Sequence, residues 1–336
     1  MKRLGALVAA VLLVLAAVWV RGRLGDGGIT LGRDLAGKLT CSTELVAACV
    51  RFQESNPGIK MTLEPAGKTA ERLMAEGTDD PGFDAWLAAE PYATILASTR
   101  SQANRPRILS DPGDMLAHSR VAFYIHNTRA EALKAHCGGT IGWECVMSAS
   151  AAASWGDIGG EPTWGPFKPF IGTPVDAGPL VGLGGAATAV LGPKPDALAV
   201  RDEGFVSRLT SLAGADRTDV NDSLNALTRM LTAGPAFTDL VATIEVHGAQ
   251  HAESGLLSQR VVVVWPEPVV TTEVVALGRQ GSEAGERLVE ALRGGDFKGL
   301  LKDTGWREGP TPSSDSNLPS TAALITLRQL WDEISR

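Results

Sequence analysis

Ser119-Arg120-Val121-Ala122-Phe123-Tyr124-Ile125-His126 and Arg260-Val261-Val262-Val263-Val264-Trp265 are the two stretches on which the reading of this chain turns. The first is the clearest long strand in the first half, and the four consecutive valines of the second suit a strand buried on both faces. Between them lies a block of alternating helices and strands, with helices at 129–136, 180–191, 204–213 and 221–233 and a strand at 167–173. Before them lies another: a strand at 38–41, a helix at 44–54 closed by Asn56-Pro57-Gly58, a strand at 59–63, a helix at 69–76 and an apolar edge at 83–87. After them come a strand at 272–277, helices at 283–293 and 296–304, a Pro/Ser linker at 311–319 and an amphipathic helix at 322–334. Strand, helix, strand, helix is the order of an α/β sheet with parallel crossovers. A chain that leaves one block by a long strand and returns by another defines two lobes, the first from 38–118 and 266–310, the second from 119–265, with 311–336 as linker and final helix.

The N-terminus speaks of export. Lys2 and Arg3 precede an apolar run at 4–20, and Arg21 and Arg23 close it. A basic segment followed by an apolar one addresses a chain to the export machinery. The run is longer than a usual signal-peptide core and near the short end of a membrane span. No A-x-A site precedes Arg21, so residues 1–23 read as an uncleaved transmembrane signal anchor, with a cleaved signal peptide as the alternative and 24–37 as a tether. The body then works outside the cytoplasm, held to the cell membrane by that helix, or secreted.

The four cysteines agree with an oxidising compartment. Cys137 and Cys145 flank a short Gly-rich loop able to bring two sulfurs together. Cys41 and Cys49 have the same spacing but fall across a strand end and a helix, which predicts Cα atoms about 10 Å apart, too far for a bridge. Neither pair has zinc-ligand spacing, and His247 and His251, four apart, lack the glutamate of a metalloprotease motif. No cofactor or metal is expected. A net charge of −7, with no Lys/Arg-rich run beyond the anchor, argues against nucleic acid as a partner.

Leu39-Thr40-Cys41-Ser42-Thr43-Glu44-Leu45 and Asp84-Ala85-Trp86-Leu87-Ala88-Ala89-Glu90-Pro91 resemble, respectively, the first strand with its helix and the second cleft wall of the extracytoplasmic solute-binding proteins of the type II periplasmic-binding fold. Residues 119–124 resemble the first crossing strand, Val263-Val264-Trp265-Pro266-Glu267-Pro268 the return, and 286–306 the late helix pair that ends in Gly305-Trp306. A narrower resemblance, through Cys137, Trp143, Cys145, Trp155-Gly156-Asp157-Ile158-Gly159-Gly160 and the 318–334 end, is to the actinobacterial branch in which such a lobe pair precedes a von Willebrand factor A module, absent here. The resemblance implies capture of a small polar solute between two lobes, for uptake by a membrane transporter or for sensing. A membrane-anchored interaction or scaffold protein that kept the fold is the rival, and an exported hydrolase a third. No G-x-S-x-G elbow or Walker loop supports catalysis.

Candidate ligand contacts follow from position. Ser42 and Thr43 stand between a strand and a helix N-terminus, where hydroxyls and free N–H groups converge on a ligand or simply cap the helix. Asp176, Ala177 and Gly178 repeat that arrangement from the other lobe. A carboxylate there repels an anion and points to a neutral, hydroxylated or cationic ligand, or only to a cap. Trp265 with Glu267, and Trp86 with Glu90, offer an aromatic face beside a carboxylate, as a sugar or amine site does; core tryptophans with solvent-facing glutamates fit equally well. Ser119 is placed to reach the cleft from the crossing strand. Gly182, Gly184 and Gly185 form a small-residue surface that permits close helix packing.

Overall fold

The computed structural model describes residues 35–75, 77–216, 218–252, 255–312 and 317–335. The anchor expected at 1–23 and most of the tether lie outside them, and no helix among the described residues is long and apolar enough to cross a membrane.

Strand β4 (Ala117–His126) organises the sheet. Its apolar, aromatic and β-branched residues are buried on both faces, with only Arg120 partly exposed. It changes partners midway. Residues 117–120 pair antiparallel with β8 (Thr271–Gly278), Ser119 opposite Thr272, and residues 117–118 also pair with β9 (Arg307–Glu308). Residues 121–125 pair with β6 (Leu240–Ile244) and 123–126 with β7 (Val261–Val264), both antiparallel, so that Phe123 has Ala242 on one side and Val264 on the other. Beyond β8 the order runs β3 (Ala85–Ala89), β1 (Gly37–Cys41), β2 (Ile59–Leu63); beyond β6 comes β5 (Pro169–Phe170). We call the strands on the β8 side of the changeover the first half and those on the β6 side the second.

In the first half, β1, β2 and β3 are mutually parallel, with α1 (Val46–Ser55) and α2 (Ala66–Met74) as crossovers. Helix α3 (Tyr92–Gln102) follows β3. In the second half the connecting helices are α4 (Asn127–His136), α5 (Trp143–Ser150), α6 (Ala177–Leu191), α7 (Glu203–Ala215), α8 (Ser223–Ala233), α9 (Glu245–Ala249) and α10 (Leu256–Arg260). Helices α11 (Glu283–Arg293) and α12 (Gly295–Asp303) return to the first half, where Phe297 meets Phe52 edge-on at 5.1 Å. The chain ends in α13 (Thr321–Ile334).

Helix α6 is apolar on every side, which suits a helix enclosed by protein. Its glycines set the spacing. A Cβ on Gly182 or Gly185 would stand 3.2 and 2.8 Å from the Trp143 ring, and one on Gly184 3.0 Å from Pro319. Helix α6 is thus pressed between α5 and α13. Helix α13 also packs on α7 and touches the first half, where Arg328 pairs with Glu71 and lies over the Tyr92 ring at 5.4 Å.

Three expectations change. Cys41 and Cys49 are bridged, with Cα atoms 6.7 Å apart. The chain first turns through a 3-10 segment, Thr43–Leu45, so the helix begins only at Val46 and Cys49 comes back over the strand end. Cys137–Cys145 is bridged as expected, but Cys145 already lies in the first turn of α5, not in a loop. The strand at 167–173 shrinks to Pro169–Phe170 because Gly172 adopts φ +85°, outside the range of a strand. Helices α3, α5, α9 and α10 and strands β6 and β9 had no sequence reading.

Candidate functional site

The two halves meet where the carboxyl ends of β1 and β3 face the start of α6. Ser42, at the end of β1, is fully buried and bound within its own half: its N–H donates to Leu87 O at 3.0 Å, and its hydroxyl accepts from Ala89 N at 3.1 Å. It positions the following turn rather than facing across. Thr43 and Glu44 do face across.

The segment 174–177 of the second half is held by the first half at every residue. The Tyr92 hydroxyl donates to Pro174 O, and Gly67 N donates to Val175 O at 2.9 Å. The Thr43 hydroxyl donates to Asp176 Oδ1 at 2.7 Å, and Ala177 N donates to Glu44 Oε1 at 2.5 Å. Gly67 is needed here, since a Cβ would lie 2.6 Å from Val175 O. Asp176 stands at the N-cap of α6 but makes no side-chain cap bond to it. Its place is taken by Glu44 from the opposite half, which answers an otherwise free N–H at the positive end of the helix.

Glu44 is 4% exposed. Burial first, then the neighbouring Asp176 charge, pushes its carboxyl up to about 8. Burial likewise pushes Asp176 up to about 6, with the Asp222 charge adding to it. A cavity of about 370 Å³ opens beside this seam, lined from the first half by Thr43, Glu44 and Leu63 and from the second by Asp176, Asp222 and His247, among others. Among the described residues no lysine or arginine lines it. His247 is buried, shares a 2.7 Å hydrogen bond with Thr243, and is pushed down to about 4 by burial, so it adds no charge near neutrality. The cavity offers carboxylate and hydroxyl oxygens to a ligand, which suits donors and cations.

A larger groove, about 1070 Å³, lies elsewhere and is lined by Trp143, Cys137, Cys145, Arg208 and Glu267. It shares no lining residue with the seam cavity and takes nothing from the strand ends of the first half, so we place the candidate site at the seam.

Of the residues singled out in the sequence, Thr43, Asp176 and Ala177 come together there. Gly178 faces Ile244, 3.1 Å from where its Cβ would be. Ser119 is buried and accepts from Val246 N at 3.2 Å, tying α9 to the crossing strand. The other four stand apart from the seam. Trp86 is fully buried in the sheet. Glu90 accepts from Thr94 N and its hydroxyl at 3.1 and 3.0 Å, capping α3. Trp265 donates to Glu245 Oε1 at 2.6 Å, beside the two 2.8 Å bonds from Arg307 to Glu245, a group that joins β9 of the first half to α9 of the second. Glu267 lines the larger groove. Glu44, Tyr92 and Asp222 had not been singled out, and His247 only as a metal-ligand candidate set aside. Only Glu44 carried a sequence signal, as an acidic residue beside two hydroxyls at a strand end.

No family model and no curated protein sequence matches the chain. Solved structures do. The periplasmic binding protein AfuA from Actinobacillus pleuropneumoniae, with exogenous fructose-6-phosphate bound, superposes with a TM-score of 0.58 at 11% identity, over 89% of this chain and 96% of that one. A periplasmic thiamin binding protein gives 0.58 at 12%, over 89% and 96%, and the periplasmic binding protein P5PA gives 0.56 at 14%, over 89% and 98%. The mixed α/β sheet that changes partners along β4 is thus the fold of the periplasmic solute-binding proteins. At these identities the likeness is one of fold.

Proposed function

We propose that this protein captures a small polar solute reversibly between two lobes, outside the cytoplasm, and passes it to a membrane transporter or a sensor. Lobe one comprises 38–118 and 266–310, lobe two 119–265, with the changeover within β4 as the hinge. The observation that carries this reading is the seam cavity, where strand ends of one half face a helix N-terminus of the other and both halves supply polar groups. Its acidic lining favours a neutral hydroxylated or a cationic solute over an oxyanion. Binding, not turnover, is the activity proposed. The finer assignment, to the branch that precedes a von Willebrand factor A module, rests on the texture of 137–165 and 318–334, and the membrane anchor on residues 1–23 alone.

A thermal-shift screen of the full chain across amines, amino acids, sugars and oxyanions tests this. A saturable rise in melting temperature with an amine or a polyol is expected, and abolition of that rise by Asp222→Asn or Thr43→Val places it at the seam. A screen in which nothing shifts the transition removes the reading. One observation favours the rival, an interaction protein that retains the fold: residues 174–177 are already bonded across the seam by the protein's own groups. That reading expects a partner captured equally by protein with and without added solute.

A further inference from the structure

The cross-seam contacts that any solute must compete with meet at two carboxyl groups, one from each half. Glu44 reaches from the turn after β1, and Asp176 stands at the start of α6, with the Thr43 oxygen between them at 3.4 Å from Glu44 Oε2 and 2.7 Å from Asp176 Oδ1. A hydroxyl has one hydrogen to give. If it goes to Asp176, the Thr43 oxygen is left as an acceptor toward Glu44, and only a protonated Glu44 can donate to it. Glu44 Oε1 also accepts from Ala177 N at 2.5 Å, a bond that the carbonyl oxygen of a carboxylic acid makes too, if more weakly than a carboxylate, so it works against burial rather than with it. In that arrangement donors run from a protonated Glu44 through Thr43 to Asp176; the Glu44–Thr43 leg is long at 3.4 Å, and the Thr43–Asp176 leg at 2.7 Å is the one that crosses the seam.

We propose that Glu44 and Asp176 form a proton-keyed latch that holds the cleft shut while the pair keeps this proton and lets it open when both carboxyls ionise. The inference rests on the two-lobed reading above and concerns the regulation of the same site. In an open cleft both groups face water and ionise in the ordinary carboxylate range; closing buries them together, so closing takes up a proton. The raised closed-state value of Glu44, about 8 against an ordinary 4.5, gives the direction. The contribution to closure is complete below the ordinary value and is lost as pH rises through about 8.

The groups around the pair do not supply a compensating cation. Asp222, the N-cap of α8, accepts from Leu224 N at 2.8 Å and adds negative charge from that side. His247 of α9 is neutral, and the Tyr92 phenol of α3 is held far above its ordinary value by burial, bonded to Pro174 O. Arg328 of α13 lies beyond Tyr92 and is paired with Glu71 of α2.

Hydrogen exchange read by mass spectrometry on the full chain tests the latch, using the amides of Gly67 and Ala177, which both cross the seam. After correction for intrinsic rates, their protection should fall about 10-fold or more between about pH 6 and about pH 9.5, the response to a group losing its proton inside that window. Glu44→Gln keeps an acceptor for Ala177 N and a donor for Thr43 and cannot ionise, so its protection should stay level across the range. Asp176→Asn removes only the smaller of the two causes and leaves Glu44 buried, so its loss of protection should remain but move to lower pH, which covers the case in which the first variant does not fold. Wild-type protection that stays level, or variants that lose it as the wild type does, overturns the latch. The solute reading fails by a different result, an empty thermal-shift screen, whatever the exchange data show.

Discussion

Removing the Cys137–Cys145 bridge should destabilise the protein by an amount the structure fixes and leave the seam untouched. The bridge ties the end of α4 to the first turn of α5 across a sequence separation of 8. In the chain-entropy model, closing so short a loop removes about 8 cal/mol/K from the unfolded chain, or about 2.5 kcal/mol at 25 °C. Unfolding a body of about 300 residues carries an entropy near 0.6 kcal/mol/K, so the melting temperature should fall about 4 °C, or about twice that if the second half melts alone. The control is internal. Cys41–Cys49 closes a loop of the same separation, so replacing that pair should cost a similar amount. Yet it lies next to Ser42, Thr43 and Glu44, and its loss should also loosen the Ala177 amide, whereas loss of Cys137–Cys145 should not. The assay is differential scanning calorimetry of the two double-serine variants, with hydrogen exchange on each and intact mass with and without reductant on the wild type. A fall below about 1 °C for the Cys137/Cys145 variant, with the wild-type bridge intact, would refute the reasoning. So would a loss of Ala177 protection in that variant equal to that of the Cys41/Cys49 variant.

Two further predictions test the packing and the acid limb. Gly185→Ala sets a methyl 2.8 Å from Trp143 Nε1 and 2.9 Å from Val270, and overpacking of that kind should cost about 1–3 kcal/mol in urea unfolding; a neutral result would show that α6 and α5 are not so closely pressed. His247, held to about 4 in the folded protein against an ordinary 6.5, contributes stability that is present above 6.5 and lost as pH falls toward 4, on the order of 3 kcal/mol. His247→Gln should flatten that limb of the stability profile, and an unchanged acid limb would show that His247 does not titrate there.

The sequence by itself determined the class of fold. The run at 119–126, the alternation of strands and helices around it, and the glycines of 182–185 are local patterns that survive into the structure because periodicity dictates which faces are buried. The valine run does form β7, but with Val262 40% exposed it is not buried on both faces as expected. The sequence also placed Asp176 and Ala177 at a helix start. Tertiary structure decided what those positions touch. Cys41 and Cys49 bridge because a 3-10 turn delays the helix start from 44 to 46, a shift of two residues that spacing alone does not show. Trp86 and Glu90 look like cleft residues in sequence, but β3 is a central strand, so one is buried and the other caps the next helix. The seam itself was not legible. Glu44 and Ala177 are 133 residues apart, and a carboxylate beside a hydroxyl looks the same whether it faces water, its own helix or a helix of the other half of the sheet. Only the change of partners along β4 and the resulting approach of the two halves turn it into the cap of α6, bring Asp176 within reach of the same hydroxyl, and make burial raise the proton affinity of both.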